Sequence, residues 1–210
     1  MQKYVFYDFE TTGISPAFDQ PLQFAAIITD ENFKAIERIN IRCQAAPHIL
    51  PSPYALKVTK IDPEKTADKS LPTAFNFAQT LQRFTEELAP ACWIGYNSIA
   101  FDETMMRQMF YQNLQPEIFA TQINGNSRLD VMKMVFATYS EAPGVLTWPV
   151  SDNGNTSFKL DRLAPANGFA HENAHDALAD VEATIFIFKK IRDGAPELFK
   201  KLVDAGDKTI

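Results

Sequence analysis

Cysteine is nearly missing from this sequence. Cys43 and Cys92 stand far apart with no CxxC spacing, which excludes a disulfide framework and a zinc knuckle and leaves two expected buried thiols. Long apolar runs are missing as well, so no segment reads as a membrane span. The opening MQKYVFYDFETTG turns polar at its second residue and acidic by Asp8, without the basic flank or apolar length of a signal peptide. A reducing, cytoplasmic setting is the expectation that follows. Positive charge is in deficit, with 20 Lys and Arg against 26 Asp and Glu and a net charge of −6. That argues against a broad polyanion-binding surface, which would be basic. Internal repeats and low-complexity stretches are absent too. What is present is 46% hydrophobic residues in a chain of 210, enough to bury one substantial core, so a single domain over 1–210 is expected.

Three strands are expected before any clear helix: Lys3 to Phe9, Leu22 to Thr29 and Ala35 to Cys43, with a turn at Asp30-Glu31-Asn32 between the last two. Ala46 to Ser70, punctuated by Pro47, Pro51, Pro53 and Pro63, reads as a long connection with at most a short helical piece. Such loops often border sites. Pro72 is expected to open an amphipathic helix with Phe75, Phe77, Ala78, Leu81, Phe84 and Leu88 on its apolar face, and Pro90 to end it. Ala91 to Tyr96 reads as a buried strand. Further helices are expected at Phe101 to Tyr111, Val131 to Tyr139 and Ser157 to Ala164. The clearest runs from Asp176 to Ile191, with Leu178, Val181, Ile185, Phe188 and Ile191 on one face and Gly194 as its stop. A strand meander followed by helix and strand alternation implies an α/β sandwich with a mixed central sheet. Phe6, Phe24, Phe75, Phe84, Phe186 and Phe188 are assigned to the core by period, whereas Phe9 and Phe101 fit either the core or base stacking.

Chemistry concentrates at three places. Asp8-Phe9-Glu10 ends the first strand, and alternation sends both acids to one face, where they need a compensating cation. Taken alone, a short Asp-x-Glu motif equally fits a solvated strand end. Gly95-Tyr96-Asn97-Ser98-Ile99-Ala100-Phe101-Asp102 takes a buried strand through a polar turn into a helix, which puts Asp102 in the first helical turn, a position that an ordinary dipole-facing acid would also occupy. His175 to Asp180 opens the last helix. Five helical residues turn through about 140°, so His175 is expected just before or at the first turn, its ring free to swing toward whatever Asp180 holds. Each motif singly has a bland explanation; their joint occurrence does not.

Together the three segments resemble the DEDDh family of 3′ to 5′ exonucleases, whose pattern is DxE, then an Asp after an asparagine turn, then H-x4-D on a late helix. The similarity is greater still to the nuclease portion of the bacterial exonuclease I group. It extends through YDFETTG, PLQFAAIITD, GYNSIAFDE, NSRLD, SFKLDRLAPANG and NAHDALADVEATI. The resemblance implies a ribonuclease H-like three-layer sandwich and hydrolysis of single-stranded DNA to nucleoside 5′-monophosphates, with a role in DNA repair and recombination. It also implies two Mg2+ or Mn2+ ions held by Asp8, Glu10, Asp102 and Asp180, with His175 as general base. Glu10 would lie beside the terminal 3′ hydroxyl, and Arg107 and Lys159 would touch the strand. Lys159 departs from the Arg of the resembling nucleases, reducing a bidentate phosphate grip to a point charge. The partners implied are single-stranded DNA and, in a longer parent chain, single-stranded DNA-binding protein. The SH3-like and helical regions of that group are not among these 210 residues, so weak, salt-dependent binding and distributive digestion are expected of them. Bound ions would offset the acidic balance at the site, and Lys57, Lys60, Arg107, Arg128 and Lys159 are candidates for phosphate contacts.

Two alternatives stand beside this reading. An exoribonuclease would use the same catalytic set, and nothing in the composition reads a 2′ hydroxyl. His171-Glu172-Asn173-Ala174-His175 matches the H-E-x-x-H signature of zinc proteases, but Gly168 and Asn173 interrupt the continuous helix it requires, and Asp8, Glu10 and Asp102 would go unexplained. His48 and His171 are assigned to loops.

Overall fold

The computed structural model describes residues 3–170 and 176–206. Its centre is a five-stranded sheet in the order β3-β2-β1-β4-β5. The strands are β1 (Lys3–Thr11), β2 (Pro21–Thr29), β3 (Ala35–Arg42), β4 (Ala91–Gly95) and β5 (Ser127–Asp130). β1 runs antiparallel to β2 and parallel to β4, so the sheet is mixed. The eight α-helices among the described residues are α1 (Pro53–Thr59), α2 (Pro63–Thr66), α3 (Ala74–Leu88), α4 (Asp102–Gln112), α5 (Val131–Glu141), α6 (Leu160–Ala166), α7 (Ala177–Gly194) and α8 (Pro196–Asp204).

Period-two alternation sorts the sheet into two faces. Phe6, Ala25, Ile27 and Ile94 meet Ala177, Val181, Ile187 and Phe188 of α7, with α5 and α6 contributing Val135 and Leu163. Val5, Tyr7, Phe24 and Trp93 on the opposite face meet Phe77 and Leu81 of α3 and Met106, Met109 and Phe110 of α4. Helices therefore cover both faces, giving the expected three-layer ribonuclease H-like sandwich. β2 is buried along its whole length, whereas β3 is an exposed edge. Its charges Glu37, Arg38 and Arg42 blunt that edge against pairing with another chain.

Several local expectations shift. Residues 46–70 contain two short helices instead of at most one, each opened by a proline in its first turn, where the missing N–H costs nothing. Pro72 precedes α3 without opening it; Thr73 is the cap, accepting the Asn76 N–H at 3.3 Å. Phe75 is 48% exposed instead of buried. The helix expected from Ser157 starts at Leu160, because residues 157–159 are held extended: the Ser157 N–H donates to the Pro149 carbonyl and the Tyr96 hydroxyl to that of Phe158. Both cysteines are buried and neither is in a disulfide. Phe9 joins the core. No helix among the described residues is long and apolar enough to cross a membrane.

Candidate functional site

β1 outruns its parallel neighbour. The pairing with β4 ends at Phe6 and Ile94, and beyond it the same alternation that buries Phe6 turns Asp8 and Glu10 toward the α7 face. α7 packs across that face and brings Asp180, in its first turn, against them. Oxygen atoms of Asp8, Glu10 and Asp180 lie within 4.8 Å of one another. The Phe9 N–H, which has no strand partner on the β4 side, donates to Oδ1 of Asp102 at 3.1 Å. Asp102 thus joins the same neighbourhood from the start of α4 without entering the triad.

Packing carboxylates this closely raises the cost of ionising each. Asp8 is pushed well above the usual carboxylate range, first by loss of hydration and then by Asp102, Glu10, Asp180 and Asp176. Glu10 is pushed up to about 9 by burial and then by Asp180, Asp102 and Asp176, with Arg42 pulling the other way. Burial lifts Asp102 to about 8, opposed by the hydrogen bonds from Phe9 and from its own N–H. Among the described residues no lysine or arginine forms an ion pair with Asp8 or Glu10. Such a site wants a cation, and three carboxylates supply the hard oxygen donors that divalent magnesium or manganese takes. The donor set fits a divalent ion.

The turn that delivers Asp102 is built by Asp130, the last residue of the NSRLD segment, to which the motifs assign no role. The buried Asp130, at the end of β5, accepts the N–H groups of Asn97 at 2.9 Å, Ile99 at 3.2 Å and Met132 at 3.0 Å. It therefore caps α5 and fixes the Asn97 turn together. Gly95 is required at the strand end, because a Cβ there would meet Ser98 Cβ at 2.5 Å. The sequence signal for Asp130 was its place before an apolar helical run, a capping position.

Of the predicted strand contacts, Lys159 lines a cavity of about 320 Å3 together with Asp180, Tyr54 and Val58. Arg107 lies elsewhere, its Nε donating to the Glu103 carbonyl at 3.1 Å and its guanidinium 5.7 Å from the Phe119 ring centre. Arg128, a candidate for phosphate contact, is committed to Glu103 at 3.3 Å. His175, and with it the whole stretch from His171, falls outside the described residues.

Comparison with known proteins agrees with this arrangement. The sequence profile of the Exonuclease family matches residues 5–188, and the chain belongs to that family. It is 40% identical over 217 residues to exodeoxyribonuclease I of Haemophilus influenzae, covering 97% of this chain and 45% of the relative. A crystal structure of Escherichia coli exonuclease I in complex with a dT13 oligonucleotide superposes with a TM-score of 0.93 at 36% identity, covering 100% of this chain and 45% of that one. An ExoI/SSB-Ct complex superposes with a TM-score of 0.89 at 35% identity, covering 97% and 44% respectively. The chain thus spans about half the length of the curated relatives it matches.

Proposed function

We propose that this chain is the catalytic portion of a 3′ to 5′ exonuclease that hydrolyses single-stranded DNA to nucleoside 5′-monophosphates. The observation that carries the reading is the gathering of Asp8, Glu10 and Asp180 within 4.8 Å, with Asp102 tied to the same strand by the Phe9 N–H, in a chain of the Exonuclease family. Asp8, Glu10 and Asp180 would hold one divalent ion, and Asp8 with Asp102 a second. Bound there, the pair of ions would supply positive charge to both the attacking and the leaving oxygens of a phosphodiester. His175 takes the proton from the attacking water, a role open to an imidazole with an ordinary pKa of about 6.5. Glu10 sits beside the terminal 3′ hydroxyl, and Arg107 and Lys159 hold the strand by its phosphates. The oligonucleotide complex of the similar enzyme supports single-stranded DNA as substrate. The ExoI/SSB-Ct complex of a similar protein supports single-stranded DNA-binding protein as a partner.

The test is a gel assay with matched 5′-labelled and 3′-labelled single-stranded DNA and RNA, in magnesium and then in EDTA. Stepwise shortening of the 5′-labelled DNA, release of labelled mononucleotide from the 3′-labelled DNA and silence in EDTA are expected. Faster digestion of RNA would replace DNA by RNA as the substrate, and cleavage that persists in EDTA would remove the metal mechanism. For His175, the rate in saturating magnesium should rise from about pH 6 to pH 8 and then level. His175→Ala should flatten that rise.

A further inference from the structure

α1 is an unusual helix to find beside an acidic cluster. None of its residues is buried, yet its sequence Pro-Tyr-Ala-Leu-Lys-Val-Thr is largely apolar, and Tyr54 leaves 74% of its surface in water. Tyr54 and Val58 are four residues apart, hence on one helical face, and both line the cavity that also takes in Asp180 and Lys159. Asp180 belongs to the metal-capable triad. One continuous space of about 320 Å3 therefore joins a cation-seeking carboxylate, a lysine ammonium and an exposed aromatic face. That volume is at the small end of ligand sites, about 300–1,000 Å3, room for one nucleotide unit and not several.

We propose that Tyr54, supported by Val58, is the stacking platform for the base of the 3′-terminal nucleotide, so that the base lies on the tyrosine ring while its phosphate lies toward Lys159 and the carboxylates. The proposal rests on the nuclease reading and assigns the part of the nucleotide that the carboxylates cannot hold. Leu160 and Asp161 complete the lining, and Asp180 is the triad member that borders it: the ring offers a π-face to the base, the Lys159 ammonium a charge to the phosphate, and Asp180 the edge of the metal-capable cluster to the reacting end. A ring suits an exonuclease that must accept every base in turn, because each base offers a π-face and stacking reads no hydrogen-bond pattern. The hydroxyl of Tyr54 has no part in this.

The test is independent of cleavage. Deoxyadenosine 5′-monophosphate and 2-deoxyribose 5-phosphate are titrated calorimetrically, in magnesium, into the wild-type chain, Tyr54→Ala and Tyr54→Phe. Base stacking predicts that the wild type prefers the nucleotide roughly tenfold to a hundredfold. Tyr54→Phe should keep that preference. Tyr54→Ala should lose most of it while binding the sugar phosphate as before. A wild-type ratio near one, no measurable nucleotide binding, or an unchanged ratio in Tyr54→Ala overturns the proposal, including in a chain that digests DNA. A Tyr54-dependent preference in a chain without nuclease activity sustains the stacking site and removes the proposed function instead.

Discussion

Asp102 and Glu103 are neighbours in the chain, both buried at the start of α4, and they belong to opposite kinds of acid site. Glu103 points into the α3 and α4 side and is fully answered there. Its two oxygens accept the Tyr7 hydroxyl at 2.9 Å, the Thr121 hydroxyl at 2.8 Å and the Arg128 guanidinium at 3.3 Å. Asp102 points toward the end of β1, where it faces Asp8 and receives backbone N–H groups but no side-chain cation. One acid has its counter-charge built into the fold, and the other adds to the like charge that Asp8 and Glu10 feel. A buried acid with its partners in place holds the structure together. Like charges crowded at one strand end cost stability, as expected of carboxylates gathered to take a metal ion.

The largest effect expected from breaking this contrast is on catalysis. Asp180→Asn or Asp8→Asn should lower DNA hydrolysis by about 10²- to 10³-fold or more, the scale of losing one preorganised charge contact in a transition state. The metal-free protein should remain at least as stable as the wild type, since repulsion is relieved. Steady-state rates and thermal unfolding in EDTA decide this, and near-normal turnover in either variant would dissolve the triad as a catalytic unit. Glu103→Ala should behave in the opposite way. Removing one side of a buried pair leaves Arg128 and the Tyr7 hydroxyl unanswered and should cost about 3–5 kcal/mol of stability in urea unfolding. A loss below about 1 kcal/mol would mean that Glu103 is no more structural than Asp102.

The dependence on pH sharpens the same contrast. Asp8 is raised well above the usual range, and Glu10 and Asp102 stand near 9 and 8 in the fold, whereas unfolded carboxylates titrate near about 4. Between these limits the folded chain holds more protons than the unfolded one. Stability is therefore full below about pH 4 as far as these groups are concerned, and is lost as pH rises toward 9. In EDTA the melting temperature should fall from pH 5 to pH 9, and added magnesium should restore much of the loss at the alkaline end. Asp8→Asn should show a shallower slope. A metal-free wild type with a flat profile would show that the cluster is already neutralised.

The smallest effect belongs to Arg42. The strand register places it in one cross-strand row with Gln23 and Glu10, which is why its charge is felt at Glu10, but its ion pair is with Asp176 at 3.8 Å and both partners are about two-fifths exposed. Solvent screens such a pair, so Arg42→Ala should change stability by less than about 1 kcal/mol. A larger loss in chemical denaturation would make Arg42 the hidden counter-ion of the cluster.

The alternation of Phe6, Asp8 and Glu10, the run Leu22 to Thr29 and the apolar stripe of the last long helix were all legible, because each is a local period backed by burial on one face. β5 was not. Ser127 to Asp130 has no period of its own and is a strand only because β4 offers it an edge to pair with. α8 is legible in part, since Pro196 opens it and Leu198, Phe199, Leu202 and Val203 have helical spacing, but it is absent from the expected elements. Phe75 was misplaced because a periodic stripe does not say how far round a helix its partners reach.

What the sequence determined by itself is the inventory: which acids end which elements, in what order, and in which family's pattern. That follows from residue type and spacing, which need no long-range contact. Only the tertiary structure decided which of those acids share a volume. Asp8 and Asp180 meet because α7 crosses β1, Asp102 stands apart from the triad because it answers the Phe9 N–H, and Glu103 is withdrawn by Tyr7, Thr121 and Arg128. Charge interactions depend on distance and on the water excluded between groups, and both are properties of the packed chain.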